Sequence, residues 1–226
     1  MTNKFPSAIL ETKINKIVSG KKIMSEEKEK ILYGAQKIFL ADGFYKTPMD
    51  DIATYLKISK KTIYKHFSSK EEIVRESLMH FLSEKHKNIN AIVKSDNNAV
   101  EKLFNMFSFI SNMLISISEQ FVIDIRDFMP DLWKEVDKIR AKILFENLKI
   151  IIEQGQVEEV IIETQSEILI SAFTASIRGV INPDVLINNH MSPKKAAESV
   201  IEILLNGILT PKGRRIFVKL KSGVNK

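Results

Sequence analysis

The chain contains no cysteine, and its 226 residues include only 8 glycines and 6 prolines. Without cysteine it can form neither disulfide bonds nor thiolate metal sites, which fits a reducing compartment such as the cytoplasm. So few glycines and prolines argue against a turn-rich β fold and favour helices. The sequence therefore predicts an all-α protein.

Long apolar runs are also missing from the sequence. No stretch approaches the roughly 18 apolar residues that a membrane-spanning helix needs. The N-terminal segment lacks the continuous apolar run, about 7–15 residues long, that a signal peptide requires. We therefore expect a cytoplasmic protein with no membrane partner.

Signatures of catalysis are absent as well. The four histidines, His66, His80, His86 and His190, are scattered and do not follow the H-E-x-x-H spacing of a zinc site. The sequence has no glycine-rich phosphate loop and no serine nucleophile elbow. We expect no enzymatic activity, no cofactor and no metal.

Charge is distributed unevenly along the chain. Residues 1–71 hold fourteen Lys and eight acidic residues, whereas residues 72–211 hold fourteen Lys or Arg and twenty acidic residues. Residues 212–226 hold six Lys or Arg and no acidic residue. A basic N-terminal segment followed by an acidic body suits a protein that binds phosphates at one end.

The stretch 47–67, TPMDDIATYLKISKKTIYKHF, predicts two short helices joined by a tight turn. Thr47 is expected to cap the first helix and Ser59 the second. In the second helix Ile63 and Phe67 share an apolar face. Such a helix packs on a small core and presents its opposite face to the DNA major groove. An ordinary helical hairpin with a solvated lysine face is the alternative.

Both flanks of this hairpin favour the DNA-binding interpretation. Upstream, a capped helix places Ile31, Ala35 and Phe39 on one face and is closed by Gly43. Downstream, the stretch 69–72, Ser-Lys-Glu-Glu, reads as a capping box that opens a further helix. Three short helices around one core, with the third presented outward, make a compact DNA-binding unit.

Residues 25–72 resemble the N-terminal domain of the TetR (tetracycline-repressor-like) family of bacterial transcriptional regulators. The residues that carry the resemblance are Ile31, Ala35, Ile38, Phe39, Gly43, Phe44, Thr47, Ile52, Ala53, Ile58, Ser59, Thr62, Ile63, Tyr64, His66, Phe67, Lys70 and Glu71. The chain departs from the family pattern at Pro48, often Ser or Thr, at Lys57, usually Gly, and at Lys61, often a small residue. A positive φ at Lys57 would cost about 1 kcal/mol.

The resemblance implies that residues near Lys61, Thr62 and Lys65 meet base edges and that Tyr64 and His66 contact the DNA backbone. For His66, a half-buried ring beside Phe67 is the alternative. Lysines and hydroxyls nearby are further candidates for phosphate contacts. The predicted DNA-binding residues are Lys28, Thr47, Ser59, Lys60, Lys61, Thr62, Tyr64, Lys65, His66 and Lys70.

Four segments are predicted along the chain. Residues 1–24 form a basic extension, either a frayed tail or an arm that follows the DNA. Residues 25–71 form the helix-turn-helix domain, and residues 72–211 form a helical body for effector binding and dimerisation. Residues 212–226 form a basic C-terminal tail.

The body is rich in large apolar side chains, and the resemblance implies a cavity between its helices for a small apolar or amphipathic effector. Asp124, Arg126 and Arg178 interrupt apolar stretches, where a guanidinium could anchor an anionic group or pair with an acid of its own fold. Plain core packing is the alternative for the aromatic residues. The candidate effector-binding residues are Phe104, Phe107, Met113, Phe121, Arg126, Phe128, Trp133 and Arg178.

Two helices near the end of the body suggest a homodimer interface. Helix 164–181 carries a stripe of small residues, and helix 193–209 carries a wide apolar face. Two such helices from each subunit would form a self-complementary four-helix contact, as the resemblance also implies. Completing the protomer core is the alternative. The candidate interface residues are Ala172, Ala175, Ser176, Gly179, Ala197, Val200, Ile201, Leu204, Leu205 and Ile208.

Together these features predict a ligand-responsive transcriptional regulator, more specifically a repressor, that binds a near-palindromic DNA operator as a homodimer. Two alternatives remain open. The helical body could recognise a partner protein instead of a small molecule. The chain could also be a helical small-molecule-binding protein with no role on DNA.

Overall fold

The computed structural model describes residues 25–180 and 182–224, and the predicted N-terminal extension, 1–24, lies outside them. The helices of the described part are α1 (Glu26–Asp42), α2 (Met49–Leu56), α3 (Lys60–His66), α4 (Lys70–Val93), α5 (Ala99–Ile115), α6 (Glu119–Phe128), α7 (Pro130–Val157), α8 (Ser166–Val180), α9 (Pro183–Asn188), α10 (Pro193–Ile208) and α11 (Pro211–Val224). One isolated β-bridge joins Ile161 and Leu209. The predicted all-α class is confirmed.

The chain divides into two compact units. The N-terminal unit contains the described residues up to His86 together with residues 118–139. The C-terminal unit contains Lys87–Ile117 and the described residues from Arg140 onward. The N-terminal unit therefore extends beyond the predicted segment 25–71, because it includes α6 and the beginnings of α4 and α7.

The N-terminal unit has a small apolar core supplied mainly by α1, α2, α3 and α4. Two of these helices start at hydroxyl caps: Ser25 Oγ accepts the Lys28 N–H at 3.3 Å, and Ser59 Oγ accepts the Thr62 N–H at 3.0 Å. Full burial of one large apolar side chain stabilises a fold by about 1.5–3 kcal/mol. The side chains of this unit that are at most 2% exposed include Ile31, Phe39, Ile52, Ile63, Phe67 and Ile73, together with Ile125 of α6 and Leu132 of α7.

The start of α2 differs from the prediction. Helix α2 begins at Met49 with Pro48 at its N-cap, and Thr47 does not cap it. Thr47 is only 8% exposed, so its hydroxyl needs a partner inside the protein. It donates instead to the carbonyl of Gly43 at 2.8 Å, which ties the two ends of the turn between α1 and α2 together.

The C-terminal unit is a helical bundle in which α10 packs on α5 and α8, and α11 packs on α5. Helix α5 starts with a complete capping box between Asn98 and Glu101. The rings of Phe107 and Phe173 stack with their centroids 5.7 Å apart in the centre of this unit. Its most buried side chains are Leu103, Met106, Leu148, Ile151, Ile152, Ile170, Phe173 and Ala197.

The C-terminal segment predicted as a basic tail is a helix over most of its length. In α11 the side chain of Phe217 is buried, and its ring meets the ring of Phe104 edge-on at 6.3 Å. Ile216 and Leu220 pack against the same core. The segment is ordered because these apolar residues share one helical face, while its cations occupy the other.

Among the described residues, no single helix is both long enough and apolar enough to cross a bilayer. The bent pair α5 and α6 meets the length and composition criteria only when both helices are taken together.

Lys57 provides a test of the turn between α2 and α3, because it adopts the left-handed conformation with φ 55° and ψ 45°. We expect Lys57→Gly to be more stable than Lys57→Ala by about 0.5–1 kcal/mol, since only Gly avoids the steric cost of positive φ. Urea denaturation of both variants measures the difference. At a residue with negative φ the order would be reversed, because Gly has more unfolded-state entropy to lose. The reversed order would contradict the observed turn.

Candidate DNA-binding surface

Helix α3 has one buried face and one exposed face, as the sequence predicted. Ile63 is completely buried and Phe67, which follows the helix, is 2% exposed. On the opposite side Lys61, Tyr64 and Lys65 are exposed to solvent. The helix therefore presents two cations and a phenol hydroxyl, all of which can donate hydrogen bonds to phosphate oxygens or base edges.

The N-terminus of α3 adds hydroxyl groups to this surface. Ser59 caps the helix, and its Oγ lies 2.9 Å from the Oγ1 of Thr62. Lys60 pairs with Asp50, with its Nζ 3.0 Å from Oδ1, but both side chains are at least half exposed. Such a solvated pair contributes at most about 1 kcal/mol, so a phosphate can replace the carboxylate.

Two predicted DNA-binding residues are occupied by internal contacts instead. The Nζ of Lys28 lies 2.9 Å from Glu76 and 4.8 Å above the ring of Phe67. The Nε2 of His66 lies 2.7 Å from a carboxylate oxygen of Glu27, and the His66 side chain is 13% exposed. These partners correct the prediction that Lys28 and His66 contact the DNA backbone.

Glu27 lies beside the C-terminal part of the recognition helix, where it contacts Lys65 and His66. The hydrogen bond from His66 holds the pKa of the Glu27 carboxyl below its usual range, and the charges of Lys65 and His66 act in the same direction. Lys65 itself is 3.8 Å from Glu27, and its side chain is 73% exposed. The long exposed contact leaves the Lys65 ammonium available to DNA.

Lys70 is a second correction, because its ammonium is used inside the protein. Its Nζ donates to the carbonyl oxygens of Phe44 and Tyr45, each at 3.0 Å, and of Thr47 at 3.2 Å. These three contacts use its three donors, so none is left for a phosphate. Thr47 is likewise withdrawn from the DNA-binding set, since its hydroxyl is committed to Gly43.

The same turn is held from a second direction by Asp124 of α6. One carboxylate oxygen of Asp124 accepts the backbone N–H groups of Phe44 and Tyr45, each at 2.7 Å. The sequence marked Asp124 as unusual, because it interrupts an apolar stretch, but it was interpreted as a possible ligand contact. The local pattern could not reveal its true partners, which lie about 80 residues earlier in the chain.

The remaining candidates form one continuous group on and beside α3. They are Ser59, Lys60, Lys61, Thr62, Tyr64 and Lys65. Three of the six carry a positive charge, and the group follows a tight turn after a helix of eight residues. This is the arrangement of a helix-turn-helix in which the second helix enters the major groove.

The predicted effector-binding residues are divided between the two units. Phe121, Arg126, Phe128 and Trp133 belong to the N-terminal unit, whereas Phe104, Phe107, Met113 and Arg178 belong to the C-terminal unit.

Several of these residues have partners that explain them without a ligand. Phe107 stacks in the core of the C-terminal unit, and Phe128 stacks on Tyr45 with ring centroids 3.6 Å apart. Arg126 contacts the neighbouring Asp127 at 2.7 Å, which lowers the pKa of that carboxyl. Arg178 is exposed on α8 rather than buried in an apolar site.

The predicted dimer residues fall into two classes. Ala172, Ala175 and Gly179 of α8 are exposed and Ser176 is half-buried, so this stripe is available to a partner. On α10 Leu204 is half-buried. The other α10 candidates are buried in the core of the C-terminal unit, which corrects their assignment to the interface; they are Ala197, Val200, Ile201, Leu205 and Ile208.

In the part of the chain that the structure describes, no group of three or more His, Asp or Glu residues is arranged to hold a metal ion.

Residues 31–77 match the sequence profile of the bacterial regulatory proteins of the tetR family. The matched segment covers α1, α2, α3 and the first part of α4. It therefore contains the whole candidate DNA-binding surface.

Two proteins with similar sequences are described as transcriptional regulators of the helix-turn-helix type. The uncharacterized HTH-type transcriptional regulator YvaF of Bacillus subtilis is 22% identical over 181 residues, which cover 80% of this chain and 94% of YvaF. The IcaR protein of Staphylococcus aureus, a negative transcriptional regulator of the icaADBC biofilm operon, is 28% identical over 98 residues. That match covers 42% of this chain and 50% of IcaR.

Solved structures show that the fold is shared beyond the matched segment. The crystal structure of a putative transcriptional regulator from Saccharomonospora viridis in complex with choline has a TM-score of 0.67 and 20% sequence identity. The similarity covers 83% of this chain and 100% of that one. Helix-turn-helix geometry, sequence profile and relatives agree that residues 31–77 match the DNA-binding domain of the bacterial regulatory proteins of the tetR family, and the fold of the chain is similar to that of solved transcriptional regulators.

Proposed function

We propose that the chain is a transcriptional repressor that binds a near-palindromic operator as a homodimer and is released by a small apolar or amphipathic effector. The exposed face of α3 carries this proposal, since Lys61, Tyr64 and Lys65 project from a helix whose other face is fully buried. Two copies of α3 would enter successive major grooves with centres about 34–36 Å apart. Repression is supported by the description of IcaR as a negative regulator. Because bacterial DNA lies in the cytoplasm, we propose that location for the protein.

The lysines of α3 give the first test of this function. We expect the double variant Lys61→Ala, Lys65→Ala to lose affinity for a duplex that the wild-type protein has selected from a random library. A lost base contact costs about 1–3 kcal/mol on the selected duplex only, whereas a lost phosphate contact lowers the salt slope by about 1. Fluorescence anisotropy over a salt series separates these two effects.

A matched control is Lys149→Ala, which removes an exposed lysine of α7 that pairs with Glu153 in the C-terminal unit. We expect this control to bind the selected duplex like the wild type. Both proteins should keep the wild-type melting temperature, because none of the three lysines contributes to a core. Wild-type affinity in the double variant would contradict the assignment of α3 to the groove.

Dimerisation through α8 and α10 is supported by apolar groups that remain exposed in the protomer. On α8, Ile168 is 57% exposed and lies on the same surface stripe as Ala172 and Ala175. At Gly179 a Cβ atom would meet no other group within 4 Å, so the backbone there is open to close approach. On α10, Ile203 is 70% exposed. Small residues beside exposed isoleucines suit two helices that pack closely against a second copy.

Ala175→Glu tests this interface. The substitution would place two like charges near a two-fold axis, and burying unpaired charges costs several kcal/mol. We expect a folded monomer with greatly reduced affinity for the selected duplex, although Ala175 lies in a different unit from α3.

Light scattering after size exclusion measures the oligomeric state of this variant, and circular dichroism checks its fold. Glu198→Ala on α10 is a suitable control, since Glu198 is exposed and pairs with Lys194 in its own helix. A dimeric Ala175→Glu protein that still binds DNA would show that the dimer interface does not include Ala175.

Effector binding is supported by one relative and by the composition of the C-terminal unit. The regulator from S. viridis has been crystallised with choline, a small organic cation. In this chain Phe104, Phe109 and Leu114 of α5 are only partly buried beside the core. Aromatic and aliphatic side chains of this kind suit apolar and amphipathic small molecules.

Native mass spectrometry of protein purified without added ligand tests for such an effector. We expect a mass excess on the intact dimer that disappears after denaturation and refolding. The released compound should then dissociate the wild-type protein from its selected duplex. A dimer without any mass excess, and a duplex that no small-molecule extract of the cells dissociates, would favour a partner protein as the signal.

A further inference from the structure

Asp124 is a buried acid that the helix-turn-helix itself does not require. It belongs to α6 and is 1% exposed. Its Oδ2 accepts the N–H groups of Phe44 and Tyr45, each at 2.7 Å, and its Oδ1 accepts an N–H of Gln120 at 2.6 Å. A buried carboxylate is costly unless hydrogen bonds compensate it, and here three donors do so. The N–H groups that donate to the carboxylate therefore also keep it in place.

Lys70 holds the same turn through the carbonyl groups of the turn residues. Its ammonium contacts the carbonyls of Phe44, Tyr45 and Thr47, so the backbone from Phe44 to Thr47 lies between an anion and a cation. Each charge engages the end of the peptide dipole of opposite sign. Helix α2 begins directly after this segment, at Met49. The direction of α2, and with it that of α3, consequently depends on the turn.

Gly43 shows how closely α6 approaches the turn. Gly43 has φ +82°, which favours glycine, and a Cβ atom built on it would lie 2.6 Å from Oδ2 of Asp124. The same atom would lie 2.7 Å from Cγ of Gln120. The turn can accept the Asp124 carboxylate only because no side chain projects from position 43.

Helix α6 is tied to the DNA-binding helices near both of its ends as well. Before its first turn the Ser118 N–H donates to the Leu40 carbonyl at 2.7 Å, and at its last residue Phe128 stacks on Tyr45 with an interplanar angle of 4°. Along the chain, α6 is preceded by residues of the C-terminal unit, up to Ile117, and α7 re-enters that unit at Arg140.

We propose that Asp124 is a positioning residue for DNA binding, through which the placement of α6 sets the orientation of α2 and α3. This inference rests on the proposed DNA-binding function. Asp124 touches no DNA; it acts through the Phe44 and Tyr45 amides on a helix-turn-helix whose own core is complete without it. Operator affinity thereby depends on a residue far outside the segment that the family profile matches, which ends at residue 77.

Asp124→Asn removes the charge while keeping the shape of the side chain. Asp127→Asn is the matched control. Asp127 is on the same helix, is exposed and pairs with its neighbour Arg126. Both variants and the wild type are titrated with the duplex selected by the wild type and with a scrambled duplex, well below their melting temperatures. Hydrogen exchange of the 43–47 segment is measured on the same samples.

For Asp124→Asn we expect faster exchange of the Phe44 and Tyr45 amides and a loss of affinity for the selected duplex of about tenfold or more, because hydrogen bonds to charged groups are the stronger ones. Binding to the scrambled duplex should change little, since the exposed lysines are retained. Asp127→Asn should match the wild type in both measurements. A purely structural role would instead lower the melting temperature and the active fraction and leave the affinity of the folded protein unchanged.

Gln120→Ala covers the case in which Asp124→Asn does not fold. Gln120 is exposed, and its Nε2 donates to the second carboxylate oxygen of Asp124. Loss of this donor should loosen the carboxylate and weaken specific binding by a smaller factor, about threefold. Unchanged specific affinity in the folded variants would overturn the positioning role while leaving the proposed function intact. If the wild type selects no duplex at all, both proposals fail together.

Discussion

The backbone of the turn between α1 and α2 is held by two side chains of opposite charge, and the placement of the helix-turn-helix depends on this contact. Asp124 accepts two of its N–H groups, and Lys70 donates to three of its carbonyls. A turn of this kind would otherwise expose its peptide groups to water or bury them without partners. The paired charges satisfy the peptide groups, and the peptide groups in turn compensate the burial of the carboxylate.

Internal partners also decide which cations remain available to DNA. Lys28 and Lys70 both belong to the N-terminal unit and are positively charged, yet both are bound to groups of the protein. The lysines of α3 have only long or solvated contacts. The distinction is energetic, since a well-compensated internal ammonium would have to break several good hydrogen bonds to reach a phosphate, whereas an exposed one exchanges only water or a weak ion pair. The basic charge of residues 1–71 therefore overstates the DNA-binding surface.

The sequence predicted those features whose causes are local. The cap at Ser59 and the buried pair Ile63 and Phe67 each depend on residues within one or two helical turns. Lys57 stands where the family usually has Gly, and it adopts the left-handed conformation with φ 55° despite the steric cost of a side chain there. Predictions failed where a distant partner decides the outcome.

Lys70 illustrates these failures, because the sequence predicts a phosphate contact for it whereas its ammonium donates to carbonyls 23 to 26 residues earlier. The prediction for Thr47 failed for a local reason, since its buried hydroxyl donates to the carbonyl of Gly43, four residues earlier. The apolar face of α10 is wide because that helix packs on both α5 and α8, which no pattern within α10 can reveal. Periodicity identifies an apolar face but not the surface that covers it.

The strength of the Asp124 contact is in the range that a regulatory switch requires. A hydrogen bond to a charged group contributes about 1.5–3 kcal/mol, so releasing the Phe44 and Tyr45 amides from Asp124 would change the free energy by roughly 3–6 kcal/mol if the two are additive. Moving a two-state equilibrium from 1:99 to 99:1 takes about 5.5 kcal/mol of differential binding. An effector that favours a displaced α6 by this amount would shift the population of the DNA-competent state almost completely. A much stronger contact would hold the repressor on DNA regardless of the effector, and a much weaker one would leave the helix-turn-helix poorly oriented without it.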